Sequence, residues 1–371
     1  MSKITILVSS LVALIVAVIF PKLFFQSAKV TPVLTHMVSS ASATSTASDI
    51  TKYDQRLNMG ITSYAAASPY NPSYFLSHGG PTFMYSEENG KGGDMGAFRA
   101  LQKIGSHIVN DVKPAFIMVV SAHWESSGHD NIEITIPKPK GLKPDENELI
   151  YDFYGFPDHM YREQFRTRGS RELSQSISDY LNENGLKASV TARGIDHGTW
   201  VPFKVAFGKT GLTDDYWHLG VPLIQISLAH TEKFAIHEQL GGLLRHFTEK
   251  SGANGILINS GMSVHNLHDL GTAMYNHPNR PMSYVVPFHD KLRDIFTKST
   301  DYESRIEGLE KLHQEPIFRQ AHPSVEHFMP IVVADGFAGK YGKVKEVYNN
   351  ASLSLGWGVY EFIASNKDVK L

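Results

Sequence analysis

Three histidines of the chain come at the ends of apolar runs that have the length of β-strands. His78 follows the run YFLS, His123 follows AFIMVVSA, and His265 follows GILINSGMSV. In open α/β sheets, ligand sites form beyond the carboxyl ends of the strands, so side chains in these positions can converge. Imidazole nitrogens bind transition metals and exchange protons near neutral pH. One such histidine is most often a hydrogen-bonded loop residue, but three of them indicate a site built from histidines.

Two further histidines have distinctive neighbours. His197 lies in the segment GIDHGTW, where glycines let the backbone approach closely and Asp196 can orient an imidazole. His327 lies in the segment HPSVEH, where the Pro-Ser pair predicts a helix start and puts this histidine in the first turn. Taken alone, a histidine in such a turn is more often a partly exposed helix residue than a ligand.

The composition limits the kinds of site that the chain can build. It has 371 residues and no cysteine, which excludes disulfides, thiolate metal sites and cysteine nucleophiles. A transition metal would therefore rest on His, Asp and Glu, although we expect most of the 18 histidines to be ordinary surface or core residues. The 35 Lys and Arg residues nearly balance 37 Asp and Glu residues, and no basic run occurs. We therefore expect no nucleic-acid partner.

Helical and strand patterns alternate from about Tyr70 onward. The apolar spacing predicts helices at residues 96–112, 171–184, 235–250, 282–298, 302–313 and 325–337. Continuous apolar runs predict buried strands at residues 115–122, 221–228 and 255–260. This alternation predicts an α/β fold, a single domain with a central mostly parallel or mixed sheet flanked by helices. Such a sheet can bring strand-end histidines to one edge.

The amino-terminal part differs in composition. Residues 4–20 carry no charge and are nearly all apolar, which indicates a hydrophobic signal or membrane-anchor segment within residues 1–28. A stretch rich in Ser, Ala and Thr makes residues 29–69 a predicted flexible tether, and residues 70–371 form the predicted catalytic domain. We therefore expect membrane anchoring or the secretory pathway. A mitochondrial presequence is the alternative, because no acidic residue precedes Asp49.

Six short motifs follow one another along the predicted domain. In chain order they are SHGGP from Ser77, SAHW from Ser121, YDFYGFP from Tyr151, DHGTW from Asp196, SGMSVHNL from Ser260 and PSVEH from Pro323. Together they resemble the motifs, in the same order, of the class III extradiol ring-cleavage dioxygenases, in particular the DOPA 4,5-dioxygenase-like branch. Any one motif is weak, but six in order are a specific signal.

The resemblance implies a role for each of the five histidines. His78, His123 and His327 match the metal ligands of this branch. His265 matches the acid/base of the active site and can become a fourth metal ligand when no substrate is bound. His197 matches a second acid/base or a partner of a substrate hydroxyl. The cofactor implied is one divalent metal. It is either Fe(II), as the metal that supports turnover, or Zn(II), as the metal that would be found in the protein.

The implied reaction is the opening of a catechol ring by O₂, with a DOPA-like small aromatic diol as substrate and a muconate semialdehyde as product. The chain departs from the family pattern at Gly80, where Ser is usual, and at Tyr154, where Gly is frequent. With Phe156 and Trp124, Tyr154 is expected to narrow the pocket to a single ring.

Two other functions fit some of the same residues. A zinc-dependent hydrolase also needs three histidines and an open coordination position. A non-catalytic metal-binding scaffold of the same fold would need fewer of the histidines, and the presence of all five favours an enzyme. Related branches of the family use a carboxylate as the last metal ligand, which makes Glu326 the alternative to His327 in that role.

Overall fold

The computed structural model of the protein describes residues 67–85, 93–138, 143–208, 220–276, 278, 280–365 and 367. Within these ranges no helix is long and apolar enough to cross a membrane. The predicted signal or anchor at residues 4–20, and nearly all of the predicted tether, lie outside the described residues.

Strands and helices alternate along the described chain. The strands are β1 Ser73–Ser77, β2 Phe116–Glu125, β3 Asn131–Ile136, β4 Lys187–Ala192, β5 Leu223–Leu228, β6 Gly255–Gly261, β7 Val264–His265, β8 Lys343–Tyr348, β9 Ala351–Ser352, β10 Leu355–Gly356 and β11 Val359–Ile363. Eight of them form one sheet in the order β4-β3-β5-β2-β6-β1-β11-β8, and β7, β10 and β9 form a small second sheet.

The centre of the large sheet is parallel and its flanks are mixed. Strands β5, β2, β6 and β1 run parallel to one another. Strand β11 is antiparallel to both β1 and β8, and β3 is antiparallel to β5. The predicted α/β class with a mostly parallel or mixed sheet is therefore confirmed.

Helices cover both faces of this sheet. They are α1 Met95–His107, α2 Arg171–Glu183, α3 His197–Phe207, α4 Phe234–Leu244, α5 Leu267–Asn276, α6 Val285–Lys298, α7 Tyr302–Gln314, α8 Pro316–Ala321 and α9 Met329–Ala338. A π-helical turn, Ile108–Val112, continues α1, and 3₁₀ turns occupy Pro81–Met84, Asp158–Arg162 and Arg245–Thr248.

Side chains of the central strands alternate between two hydrophobic clusters. Phe75 and Met118 belong to the cluster that includes residues of α2, α4 and α9. Their neighbours Tyr74 and Ile117 belong to the cluster that includes residues of α1 and α3. Because both faces are buried, these strands appear in the sequence as continuous apolar runs rather than as alternating ones.

Local signals located one helix start correctly and another incorrectly. The side chain of Ser170 accepts a hydrogen bond from Leu173 N at 3.2 Å, so it caps α2 as predicted. The helix predicted from residue 325, however, begins at Met329, and His327 lies in the turn before it. The carbonyl of His327 accepts a hydrogen bond from Met262 N at 3.0 Å, which ties this turn to the end of β6. This tertiary contact is absent from the local pattern, and it decides where the helix starts.

Candidate active site

The pairing of three parallel strands brings two of the predicted site histidines to one edge of the sheet. Strand β6 lies between β1 and β2, with Gly261 opposite Ser77 and Ser260 opposite Ser121. The residues just beyond these pairs are His78 and His123. The expectation that the strand ends converge therefore holds for both.

A local break in the sheet changes the course of β2 at His123. Val120 pairs with Ile226, but the next pair along the strands is Glu125 with Leu228. Residues 121–124 of β2 therefore lie between two pairs that are separated by only one residue of β5, Ser227. Irregularities of this kind are common beside active sites, where they redirect a side chain out of the plain strand geometry.

Three imidazole rings meet at this edge, and each points its Nε2 atom at the others. His123 Nε2 lies 3.2 Å from His78 Nε2 and 3.3 Å from His327 Nε2. One nitrogen from each ring can be chosen so that all three lie within 4.8 Å of one another. All three side chains predicted as metal ligands are thus brought together, although the chain contributes them from β1, β2 and the turn before α9.

The hydrogen bonds of the other ring nitrogen, Nδ1, fix the tautomers of these histidines. Ser260 Oγ donates its proton to the Gly198 carbonyl, so it accepts from His78 Nδ1 at 2.9 Å. His123 Nδ1 lies 3.1 Å from an oxygen of Asp152. His327 Nδ1 likewise lies 3.0 Å from the carboxylate of Glu326. Each Nδ1 therefore carries the proton, and each Nε2 presents a bare lone pair.

This arrangement fits a metal ion. Three bare lone pairs that face one another repel unless a cation lies between them. Two bonds of about 2.1 Å to one ion span the observed separations of 3.2 and 3.3 Å when the angle between them is about 100°. Hydrogen bonds from each Nδ1 to a serine or a carboxylate are the usual outer support of metal-binding histidines. The donor set is all nitrogen, which suits iron, zinc, copper or nickel.

The two remaining predicted histidines border the same cluster. The His197 ring is centred 4.0 Å from that of His123. The His265 ring stacks on that of His327, with centroids 3.5 Å apart and planes 16° apart. His265, Glu326 and His327 form a second group whose ligand atoms lie within 4.8 Å of one another, and His327 is the member that it shares with the first group.

Burial and mutual proximity shape the protonation of the cluster. Burial lowers the pKa of His78 and His327 well below its ordinary value, and the nearby His123 lowers it further. Burial also lowers the pKa of His265, with a further contribution from His327. For His123, burial acts in the same direction, but the hydrogen bond and charge of Asp152 outweigh it and raise the pKa. Near neutral pH, the lowered values favour imidazoles with a free lone pair for a metal.

A carboxylate that the sequence did not single out connects two of the histidines. Asp152 accepts hydrogen bonds from His123 Nδ1 at 3.1 Å and from His197 Nδ1 at 2.8 Å. Burial raises the pKa of Asp152, but the hydrogen bonds from both imidazoles outweigh burial and hold it well below its ordinary value. Asp152 is the aspartate of the YDFYGFP motif, so the motif carried the signal.

Asp196, expected to orient an imidazole, has other partners. It is fully buried and accepts hydrogen bonds from Ser121 Oγ at 2.7 Å, from Arg193 at 3.1 Å and from the Gln225 amide. The expectation for Asp196 is therefore wrong. It is the residue before α3, and its hydrogen bonds to Ser121 of β2 and Gln225 of β5 fix the start of that helix against these strands instead.

Comparison with known proteins identifies the family. Residues 72–360 match the family of the catalytic LigB subunit of aromatic ring-opening dioxygenase. A protein of Schizosaccharomyces pombe described as "4,5-DOPA dioxygenase extradiol-like protein" is 31% identical over 299 residues, which are 77% of this chain and 91% of that one. The chain belongs to the LigB family. It is an extradiol ring-cleaving dioxygenase.

Other relatives of this LigB-family enzyme point to the same branch. The "4,5-DOPA dioxygenase extradiol" of Beta vulgaris is 28% identical, over 79% of this chain and 97% of that one. A crystal structure of an uncharacterized protein of Escherichia coli K12 covers 78% of this chain and 98% of that one, with a TM-score of 0.57 and 19% identity. That structure supports the fold alone. The resemblance to the DOPA dioxygenase-like branch is confirmed by the named relatives.

The aromatic residues expected in the substrate pocket of this dioxygenase have different environments. Trp124 is buried, with the guanidinium of Arg193 4.5 Å from its ring centre, so it is a core residue. Phe156 is half-buried and packs edge-on against Phe153. Tyr154 is 72% exposed, and of the three it is the one free to meet a ligand from solvent.

The glycine pair after His78 gives a stability prediction for this LigB-family chain. Gly79 has φ of +63°, and a Cβ there would lie 2.7 Å from the Trp357 ring. No atom lies within 4 Å of a Cβ added at Gly80. Gly79→Ala should lower the free energy of unfolding by more than about 1 kcal/mol, and Gly80→Ser, which restores the usual family residue, by less than about 0.5 kcal/mol.

Urea unfolding of the two variants and the parent, without metal, measures this difference directly. Equal losses at both positions would contradict the assignment of the strain to Gly79 alone.

Proposed function

We propose that the enzyme opens the ring of a single-ring catechol of the DOPA type with O₂, giving a muconate semialdehyde. The observation that carries this proposal is the convergence of three bare Nε2 atoms, each with its Nδ1 bonded to an acceptor. The names of the fission yeast and beet relatives support the DOPA-like substrate class.

In this proposal, one divalent metal is held by His78, His123 and His327. A bound Fe(II) would supply open positions for both catechol oxygens and O₂, and would lift the spin restriction on their reaction. Zn(II) suits the same nitrogens and can occupy the site without supporting turnover. His265, stacked on His327, is the candidate for a fourth ligand when no substrate is present.

The two histidines that border the ligands then move protons. His197 donates its Nδ1 proton to Asp152, so its Nε2 is the atom that can accept the proton of a substrate hydroxyl. His265 is half-buried beside the proposed ligands and is the second group able to hold or return a proton. Tyr154, exposed at the surface of the YDFYGFP segment, is the candidate for contact with the substrate ring.

Reconstitution with defined metals tests the proposal. Apo protein is loaded anaerobically with Fe(II) or Zn(II), and oxygen uptake is then measured on caffeate, DOPA and a bicyclic catechol. We expect one metal per chain in both cases, oxygen uptake with Fe(II) alone, and preference for the single-ring catechols. Ester or amide hydrolysis by the Zn(II) form without oxygen uptake would favour the hydrolase. A protein that binds neither metal would favour the scaffold.

The location of the enzyme is a separate part of the proposal. The uncharged apolar residues 4–20 support a signal or membrane-anchor segment, with a mitochondrial presequence as the alternative. The domain limits 1–28, 29–69 and 70–371 are likewise predictions from composition.

A further inference from the structure

We propose that Asp152 is a positioning residue that couples the metal site to proton transfer, by holding one ligand imidazole and one acid/base imidazole in the tautomers that their roles need. The inference rests on the roles proposed above for His123 and His197. It assigns one carboxylate to two histidines that have different roles.

Each carboxylate oxygen of Asp152 accepts a hydrogen bond from a different imidazole ring. Oδ2 accepts from His123 Nδ1 at 3.1 Å, and Oδ1 accepts from His197 Nδ1 at 2.8 Å. The two rings have their centres 4.0 Å apart. Both imidazoles are thereby protonated at Nδ1 and bare at Nε2. In His123 the bare atom faces His78 and His327, and in His197 it is the atom available to a substrate hydroxyl.

Asp152 is itself held in place by a helix end. Its Oδ1 also accepts from the backbone N–H of His197 at 2.9 Å, and His197 is the first residue of α3. The side chain of the N-cap residue Asp196 makes no capping hydrogen bond. Asp152 therefore takes the place of the missing cap, where the helix dipole favours a negative charge. The ionised carboxylate, with both oxygens as acceptors, is stabilised at this point.

The other two proposed ligands have separate acceptors. His78 donates to Ser260, and His327 donates to Glu326. Among the described contacts of the three ligands, only the acceptor of His123 is shared with another imidazole of the cluster. A change at Asp152 should therefore affect both metal binding and turnover. His107→Ala is the matched control, because His107 Nδ1 also lies beside an aspartate oxygen, at 2.8 Å, and this residue belongs to none of the candidate ligand groups of the described chain.

Asparagine separates the two functions of the carboxylate. Its side chain has one acceptor oxygen and one NH₂ donor, so Asp152→Asn can keep only one of the two imidazoles in its present tautomer. If the NH₂ faces His197, it donates to Nδ1 and moves the ring proton to Nε2, which removes the proton acceptor. If it faces His123, it blocks the tautomer that binds metal. Metal binding favours the first orientation once the metal is saturating, although this orientation also loses the hydrogen bond from the His197 backbone N–H.

The experiment measures affinity and turnover separately. Co(II) affinity is measured by anaerobic titration of apo protein, and kcat at saturating Fe(II) on the catechol that the parent opens fastest. For Asp152→Asn we expect Co(II) affinity to fall by about 10- to 100-fold and kcat by about 10²-fold. For His107→Ala we expect both values to stay as in the parent. An unchanged kcat in Asp152→Asn at saturating metal would overturn the proposal.

A double mutant distinguishes coupling from a merely structural role. If Asp152 acts on turnover through His197, Asp152→Asn combined with His197→Ala should be no slower than His197→Ala alone. Effects that multiply would count against the proposal. Asp152→Glu, which keeps two acceptor oxygens, should recover more kcat and Co(II) affinity than Asp152→Asn, and equal losses would argue against the acceptor role.

One readout needs neither a variant nor turnover. Nitrogen-15 NMR of the histidine side chains in the Zn(II)-loaded parent should find His123 and His197 protonated at Nδ1. A proton on Nε2 of either ring would overturn the proposal even if Asp152→Asn failed to fold. A parent that binds metal but opens no catechol would refute the proposed function, while the affinity and NMR results would still decide the role of Asp152.

Discussion

Replacing His123 with alanine is expected to abolish metal retention and ring cleavage together. Its Nε2 lies 3.2 Å from that of His78 and 3.3 Å from that of His327, so it is the central member of the three. Its removal leaves two imidazoles and a larger, wetter gap between them. Metal affinity should fall by more than about 100-fold, the upper end of the loss caused by removing an outer partner of a ligand. Metal content after dialysis and oxygen uptake are the two measurements.

His107→Ala is a closely matched control for this variant. The His107 and His123 side chains are each 20% exposed, and each has its Nδ1 beside an aspartate oxygen, at 2.8 and 3.1 Å respectively. His107 lies at the end of α1, outside the histidine cluster. It should therefore keep the parent's metal content and turnover. Full metal retention by His123→Ala, or equal losses in both variants, would contradict the proposed site.

The fold class could be predicted because its signals are local. The run AFIMVVSA ending at Ala122 and the run GILINS ending at Ser260 are buried on both faces and stand out in the sequence. The flanks of the sheet could not be predicted in the same way. The Lys343–Tyr348 strand, KVKEVY, mixes charged and apolar residues without regular alternation, and its place beside β11 is decided by a long-range antiparallel pairing.

The sequence predicted which histidines come together at the candidate site, but not which residues form hydrogen bonds with them. All five histidines named from the sequence meet at one edge of the sheet, which is what strand-end placement and motif order predicted. From the sequence, Asp196 was expected to be able to orient an imidazole, that of His197 or of a neighbour. The residue that meets the ring is Asp152, 45 positions away. Neighbours in sequence at a helix start diverge in space, so adjacency was a poor guide to hydrogen bonding.

The turn that carries His327 shows the same limit on a smaller scale. A Pro-Ser pair is a good local signal for a helix start, yet α9 begins at Met329. The His327 carbonyl pairs with Met262 N instead of starting the helical ladder. The contact of His327 with the end of β6 is tertiary, and it displaces the helix start by a few residues.

Replacing His197 or His265 with alanine is expected to reduce turnover by about 10²-fold or more, the usual contribution of a general acid or base. Neither ring belongs to the three-nitrogen group of His78, His123 and His327. Most of the metal should therefore stay bound in His197→Ala. His265→Ala should lose part of it if the stacked ring is also a fourth ligand.

The measurement pairs metal content with kcat at saturating metal and catechol, again with His107→Ala as the control. His197→Ala removes the ring that shares Asp152 with His123, so its Asp152 oxygen is left with the backbone N–H of residue 197 as partner. The hydrogen bond between Asp152 Oδ2 and His123 Nδ1 is kept, so metal should be retained while proton transfer is lost. Full turnover in both variants would refute the acid/base roles. Loss of metal in His197→Ala equal to that in His123→Ala would make His197 a ligand instead of a proton acceptor.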